Sequence, residues 1–251
     1  MDISGKNVVI TGGSSGIGAA FALSVADAGG NAWVVDLQAP SEDSSSSEQK
    51  QDSRIQYLLG DVREEASVEE VVQRIDEAAG GIDVLINNAA ILRDQTLVAK
   101  LGKVLKKHSS EDWRDTIATN LTGVFLMGRA VAAAMIRRKH PGLIVNITSI
   151  SRKGNAGQSA YAASKAGVEA LTVTWSQELA PYRIRVVGIA PGFVETNMTR
   201  NIPPLFLSRL RGLSSQKRFG ALEEFGHALR FVVANDYFDG KILELDGGIR
   251  F

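Results

Sequence analysis

Short apolar runs alternate with longer amphipathic segments from one end of the chain to the other. The runs Asn7 to Thr11, Ala32 to Asp36, Ile55 to Leu59, Asp83 to Asn87, Leu143 to Thr148, Ile184 to Ile189 and Lys241 to Leu245 predict strands. Between them, Ile17 to Ala28, Ser67 to Ala79, Glu111 to Lys139, Ala160 to Ala180 and Leu222 to Ala234 carry apolar residues at helical spacing. Strand and helix repeated in this way imply a parallel sheet, because parallel neighbours need a crossover connection. The pattern predicts a Rossmann-like, doubly wound α/β fold: a parallel sheet of about seven strands with helices on both faces. Such sheets bind ligands at the carboxyl ends of their strands, so polar residues there are the place to look for chemistry.

Two stretches break the alternation. Ala39 to Ser53, APSEDSSSSEQKQDS, is Ser-rich and almost free of apolar side chains, so it cannot offset the entropy of its own ordering and reads as a mobile surface loop. Ile91 to Ser110 mixes apolar residues with Lys100, Lys103, Lys106, Lys107 and His108. Its place near the strand ends makes it either a wall of a binding cleft or a solvated insertion.

Composition narrows the picture. At 251 residues and 44% hydrophobic, the chain suits one large core, so residues 1–251 are expected to form a single domain. Lys plus Arg and Asp plus Glu are equal at 28 each, which gives no excess positive charge to gather nucleic acid or an anionic membrane. No cysteine is present, which removes disulfides, thiolate metal sites and a cysteine nucleophile. The three histidines, His108, His140 and His227, lack ligand-like spacing, so no metal is expected. No leader-like start and no long uninterrupted apolar run is seen, and a soluble cytoplasmic protein is expected.

The first strand runs straight into glycine. In NVVITGGSSGIG, Gly12, Gly16 and Gly18 stand between a strand and a helix, the context in which a glycine loop has chemical meaning. Without Cβ atoms the loop can turn sharply and approach a ligand, and the N–H groups of the helix starting near Ile17 can face a pyrophosphate. The next strand ends in Asp36, where a carboxylate can accept both ribose hydroxyls of an adenosine. A dinucleotide is therefore expected. Asp36 would repel a phosphate on that ribose, and Gly13, Ser14, Ser15, Leu37 and Gln38 around it are neutral, so NAD is expected in preference to NADP.

TGGSSGIG (Thr11 to Gly18), Asp61 with Val62, NNAA (Asn87 to Ala90), Asn120 in TNLTG, Ser149, YAASK (Tyr161 to Lys165) and PGFVET (Pro191 to Thr196) follow one another along essentially the whole chain. With these motifs the sequence resembles the short-chain dehydrogenase/reductase family. Within it the chain is most similar to 3-oxoacyl-[acyl-carrier-protein] reductases and related 3-hydroxyacyl dehydrogenases. The resemblance implies an NAD(P)-dependent oxidoreductase with Asn120, Ser149, Tyr161 and Lys165 in the catalytic site. It assigns the cofactor to Gly12, Ser14, Ser15, Gly16, Ile17, Gly18 and Asp36, with Asp61 and Val62 at the adenine and Asn87, Asn88, Ala89 and Ala90 near the ribose. Pro191, Gly192, Val194 and Thr196 would meet the nicotinamide carboxamide, beside Tyr161 and Lys165. Asn197 to Gln216 would form the substrate lid. A homotetramer with LDGGIRF near a subunit contact is also implied. The family's biosynthetic reductases usually draw on NADPH, against which Asp36 speaks for an NAD-linked 3-hydroxyacyl dehydrogenase.

The residues themselves support acid–base work. Tyr161 and Lys165 are four apart at the start of a helix and so share a face, where an ammonium would favour the phenolate and let Tyr161 exchange a proton with a substrate oxygen. Ser149 follows the strand GLIVNIT and can hydrogen-bond that oxygen. It lies twelve residues before Tyr161, whereas the family's commonest spacing lands on Thr148; strand alternation turns Thr148 to the other face, and Ser151 is the third candidate. Asn120 is either a core asparagine with a satisfied amide or, by resemblance, part of a helix irregularity holding a water between Lys165 and solvent. Arg137, Arg138 and Lys139 suit a helix end, or the docking of an acidic acyl carrier protein. The apolar lid RNIPPLFLSRL fits an acyl thioester but equally a steroid or simple ketone, and sugars are a further alternative. A non-catalytic dinucleotide-sensing protein is the reading from a different class.

Overall fold

The computed structural model describes residues 1–39, 52–195 and 204–249, with no side chains described for 204–206. Most of the Ser-rich segment and Thr196 lie outside the described residues, as do the start of the expected lid and the last two residues of LDGGIRF.

The elements are β1 (Asn7–Thr11), α1 (Gly16–Asp27), β2 (Asn31–Asp36), β3 (Ile55–Leu59), α2 (Glu65–Ala79), β4 (Val84–Asn87), β5 (Val98–Leu101), β6 (Val104–Lys107), α3 (Ser110–Ile117), α4 (Gly123–Arg137), β7 (Gly142–Ile147), α5 (Ser159–Leu179), β8 (Ile184–Pro191), α6 (Pro204–Leu213), α7 (Leu222–Ala234) and β9 (Ile242–Leu245). Seven parallel strands pair in the order β3-β2-β1-β4-β7-β8-β9, and helices cover both faces, as the alternation of apolar runs and amphipathic segments predicts. The strand period of two is visible along β1. Val8 and Ile10 pack with Phe21 and Val25 of α1 and Leu229 of α7, whereas Val9 packs on the opposite face with Val68 and Ile75 of α2 and Met127 of α4. Burial on both sides explains why β4 and β7 read as continuous apolar runs and not as alternating ones.

Three features depart from the expectations. The helix expected over Glu111 to Lys139 is two α-helices joined by one π-helical turn, Ala118–Thr122. It stops at Arg137, and Lys139 adopts a left-handed φ of 55°. Ile91 to Ser110 contains an antiparallel hairpin, β5 with β6, closed by Gly102 and Lys103, where Gly102 takes a φ of 62° that a two-residue turn favours. Part of the expected lid is helical, as α6. The run Ser110–Arg137 is the one described stretch long and apolar enough to cross a membrane; 61% of its apolar window is buried inside the molecule, and α4 packs against α2 and the sheet.

β1 lies between β2 and β4, so the chain crosses the sheet in opposite directions on either side of it. A crevice opens at the carboxyl ends where this reversal occurs.

Candidate active site

A cavity of about 770 Å³ fills that crevice, bounded by the loop after β1, the ends of β2, β4, β7 and β8, and the first turn of α5. The glycine loop forms its floor. Gly12 has a φ of +66°, and a Cβ there would lie 2.7 Å from the Ala89 Cα, so only glycine permits this approach. Ser15 precedes α1 without a side-chain cap, and the first helical turn holds no acidic residue. The N–H groups of Gly16 and Ile17 at the cavity wall thus meet the requirement of an anion site at a helix end. Gly18, assigned to the cofactor by resemblance, does not line the cavity; a Cβ would sit 2.3 Å from the Gly12 carbonyl oxygen, so it packs the helix onto the loop. Ser14 also turns away, its N–H donating to Asp36 Oδ2 at 3.0 Å and its hydroxyl to the Gln38 carbonyl at 2.8 Å.

Asp36 lines the cavity at the end of β2, beside the exposed Leu37. Val62 and Asp61 follow on the neighbouring wall. The Asp61 carboxylate is gripped by Arg63, whose Nε and Nη2 donate to it at 3.0 and 2.6 Å, and this pairing holds the carboxyl below its usual pKa. Arg63 itself lines the cavity, a cation that the sequence reading passed over because it stands outside the motifs.

The two asparagines of NNAA part company. Asn87 is buried in the sheet, donates to Asn146 Oδ1 at 2.9 Å and does not line the cavity. Asn88 lines the cavity and donates to the carbonyls of Thr11 and Gly12, holding the glycine loop. Ala89 and Ala90 continue the wall, and Pro191, Gly192 and Val194 close it opposite.

Ser149, Tyr161 and Lys165 meet in the cavity at the end of β7. The Ser149 side chain acts on the Tyr161 phenol across the cavity and accepts the Ser151 N–H at 3.1 Å. Thr148 Oγ1 donates to the Lys165 carbonyl at 3.0 Å, although Thr148 and Ser151 also line the cavity. Burial raises the Tyr161 pKa; the Ser149 side chain opposes this in part, and the Asp94 carboxylate on the facing wall adds to the rise. Lys165 is buried, and desolvation lowers its pKa to about 8. Its Nζ lies 5.7 Å from the Tyr161 ring centre, and burial is the largest influence on the phenol.

Asn120 is wholly buried in the π-helical turn. Its Oδ1 accepts from the Ile91 N–H at 2.8 Å and its Nδ2 donates to the Ile91 carbonyl at 2.9 Å, so the amide is satisfied and the helix is irregular as well. The first reading left open by the sequence, a core asparagine with a satisfied amide, describes it. At the end of α4, Arg138 is bound to Asp76, with Nε 2.6 Å from Oδ1, which takes one of the three cations away from any docking role.

A family profile described as short chain dehydrogenase matches residues 6–204. The chain is 37% identical to a 3-oxoacyl-[acyl-carrier-protein] reductase of Thermotoga maritima, over 99% of both chains. It is 32% identical to the Escherichia coli protein of that name, again over 99% of both, and 35% identical to that of Chlamydia muridarum over 97% of both.

Proposed function

The chain belongs to the short chain dehydrogenase family and is an NAD(P)-dependent oxidoreductase acting on a carbonyl or its alcohol; from that premise we propose that its substrate is a 3-oxoacyl or 3-hydroxyacyl thioester and that NAD is preferred. The observation that carries the chemical reading is the Ser149, Tyr161 and Lys165 cluster opening on the same cavity as the glycine loop. The Gly12 cradle and the uncapped start of α1 fit the pyrophosphate of a dinucleotide. When bound, the nicotinamide supplies the two reducing electrons. The protein's own residues do the rest. Asp36 would accept the ribose hydroxyls, Val62 and the Asp61–Arg63 pair would border the adenine, and Pro191, Gly192 and Val194 would flank the nicotinamide end. Tyr161, whose pKa burial raises, gives its proton to the substrate oxygen during reduction and takes it back during oxidation. The Ser149 hydroxyl donates to the same oxygen, and Lys165 sustains the proton supply, with the irregular backbone at Asn120 as the path from solvent.

The thioester reading draws on the names of the relatives, and the NAD preference on Asp36. Turnover of acetoacetyl-CoA and of the corresponding carrier-protein thioester, each with NADH and NADPH, tests both. Steroids, sugars or simple ketones turned over in their place would replace the substrate reading, and dinucleotide binding without turnover of any carbonyl would point to sensing. The kinship also supports a cytoplasmic homotetramer, for which light scattering in solution is the test.

A further inference from the structure

Arg152 lies on the single turn, Ile150–Lys153, that follows Ser149. Its side chain is only 3% exposed, and a buried guanidinium is costly unless it is paired on every side. It is paired on three. Nη2 donates to Glu244 Oε1 on β9 at 2.6 Å and Nη1 to the Ser149 carbonyl at 3.0 Å, while Nε, 2.6 Å from Glu169 Oε2 on α5, is ion-paired without hydrogen-bond alignment. Glu169 stands one helical turn beyond Lys165 on the helix that also bears Tyr161. The turn holding Ser149 is therefore tied, through one side chain, to the helix that holds Tyr161 across the cavity. Stability alone does not call for this arrangement, since a well-packed apolar side chain of similar volume commonly serves as well as a buried ion pair.

We propose that Arg152 is a positioning residue, which sets the Ser149 hydroxyl against the Tyr161 hydroxyl by fixing the Ser149 backbone to α5. The Ser149 oxygen already accepts the Ser151 N–H, so with its backbone held the hydroxyl proton is left to be donated toward the reacting oxygen. The inference rests on the oxidoreductase reading of Ser149 and Tyr161.

The test is a cycle of the parent, Arg152→Met, Ser149→Ala and the double variant, assayed on whichever member of a carbonyl panel the parent turns over. Arg152→Met is expected to lower kcat about tenfold or more, with dinucleotide Kd within about twofold, and to add no more than about twofold in the Ser149→Ala background. Arg152→Lys should recover part of the loss. A kcat within about twofold of the parent, or an equal loss in both backgrounds, overturns the proposal. A crystal structure of Arg152→Met gives a readout independent of activity. Ser149 Oγ should move away from the Tyr161 hydroxyl, and an unchanged position contradicts the inference. If Arg152→Met does not fold, Glu244→Gln enters the same cycle and the same structural comparison. Should the parent reduce none of the panel, the oxidoreductase reading fails, while the structural comparison still decides whether Arg152 places Ser149.

Discussion

The ammonium of Lys165 donates a 2.7 Å hydrogen bond to the carbonyl of Ile147, the last residue of β7. The charge four residues after Tyr161 is thereby anchored to the strand end beside Ser149 and not to the phenol oxygen. This anchoring, with burial, has consequences that can be measured.

Burial lowers the Lys165 pKa from 10.5 to about 8, so between those values the unfolded chain holds a proton that the folded protein has released. Stability from this group rises with pH across that window, and below about pH 8 the cost of burying the ammonium is present in full. Lys165→Met is therefore expected to match or exceed the parent in stability at neutral pH, by at most on the order of 3 kcal/mol, and to lose that advantage as pH climbs past the folded pKa. Urea unfolding of both proteins at several pH values measures the gap; a gap that does not change with pH contradicts the assignment.

Tyr161→Phe should bind dinucleotide nearly as the parent does and lose turnover by roughly two orders of magnitude or more, the scale of a missing general acid. Because burial raises the phenol pKa above its ordinary value, carbonyl reduction should show no loss from this group between neutrality and mildly alkaline pH, whereas alcohol oxidation should rise with pH. Activity of the Phe variant within a few-fold of the parent would remove Tyr161 from the mechanism.

Gly12→Ala forces a Cβ to 2.7 Å from the Ala89 backbone at a φ of +66°. The left-handed conformation alone costs roughly 1–2 kcal/mol, and the contact adds to it. A lower melting temperature together with weaker dinucleotide binding is expected in a calorimetric titration. Unaltered affinity would show that the loop does not cradle the ligand.

Asp36 accepts the Ser14 N–H on one oxygen and faces the cavity, so a ribose phosphate would meet a carboxylate. NAD should be favoured over NADP by about tenfold to a thousandfold in kcat/KM, corresponding to a like-charge contact of about 1.4 to 4 kcal/mol. Asp36→Ala with Leu37→Arg should move the preference toward NADP. A parent that runs better with NADPH would show that Arg63, on the same wall, outweighs Asp36.

The sheet was legible because its information is local. Seven strands each carry an apolar run, and each is followed or preceded by a stretch with helical spacing, so periodicity alone yields the fold class. The glycine loop was legible for the same reason: Gly12 and Gly16 take positive φ values that a local motif must encode. The β5–β6 hairpin was not. Its apolar residues Val98, Leu101, Val104 and Leu105 are all more than half exposed, so no buried face leaves a period to read. The π-helical turn was hidden because it interrupts the helix without changing its apolar composition.

Ionic partners and protonation were decided only by the folded chain. Nothing near Arg152 in sequence announces Glu169 or Glu244, and Arg63 falls outside the motifs although it holds Asp61 in the cavity wall. The Tyr161 and Lys165 spacing states which two groups share a helix face; the depth of the cavity determines that burial outweighs their mutual charge, since desolvation depends on everything packed around a group and not on its neighbours along the chain.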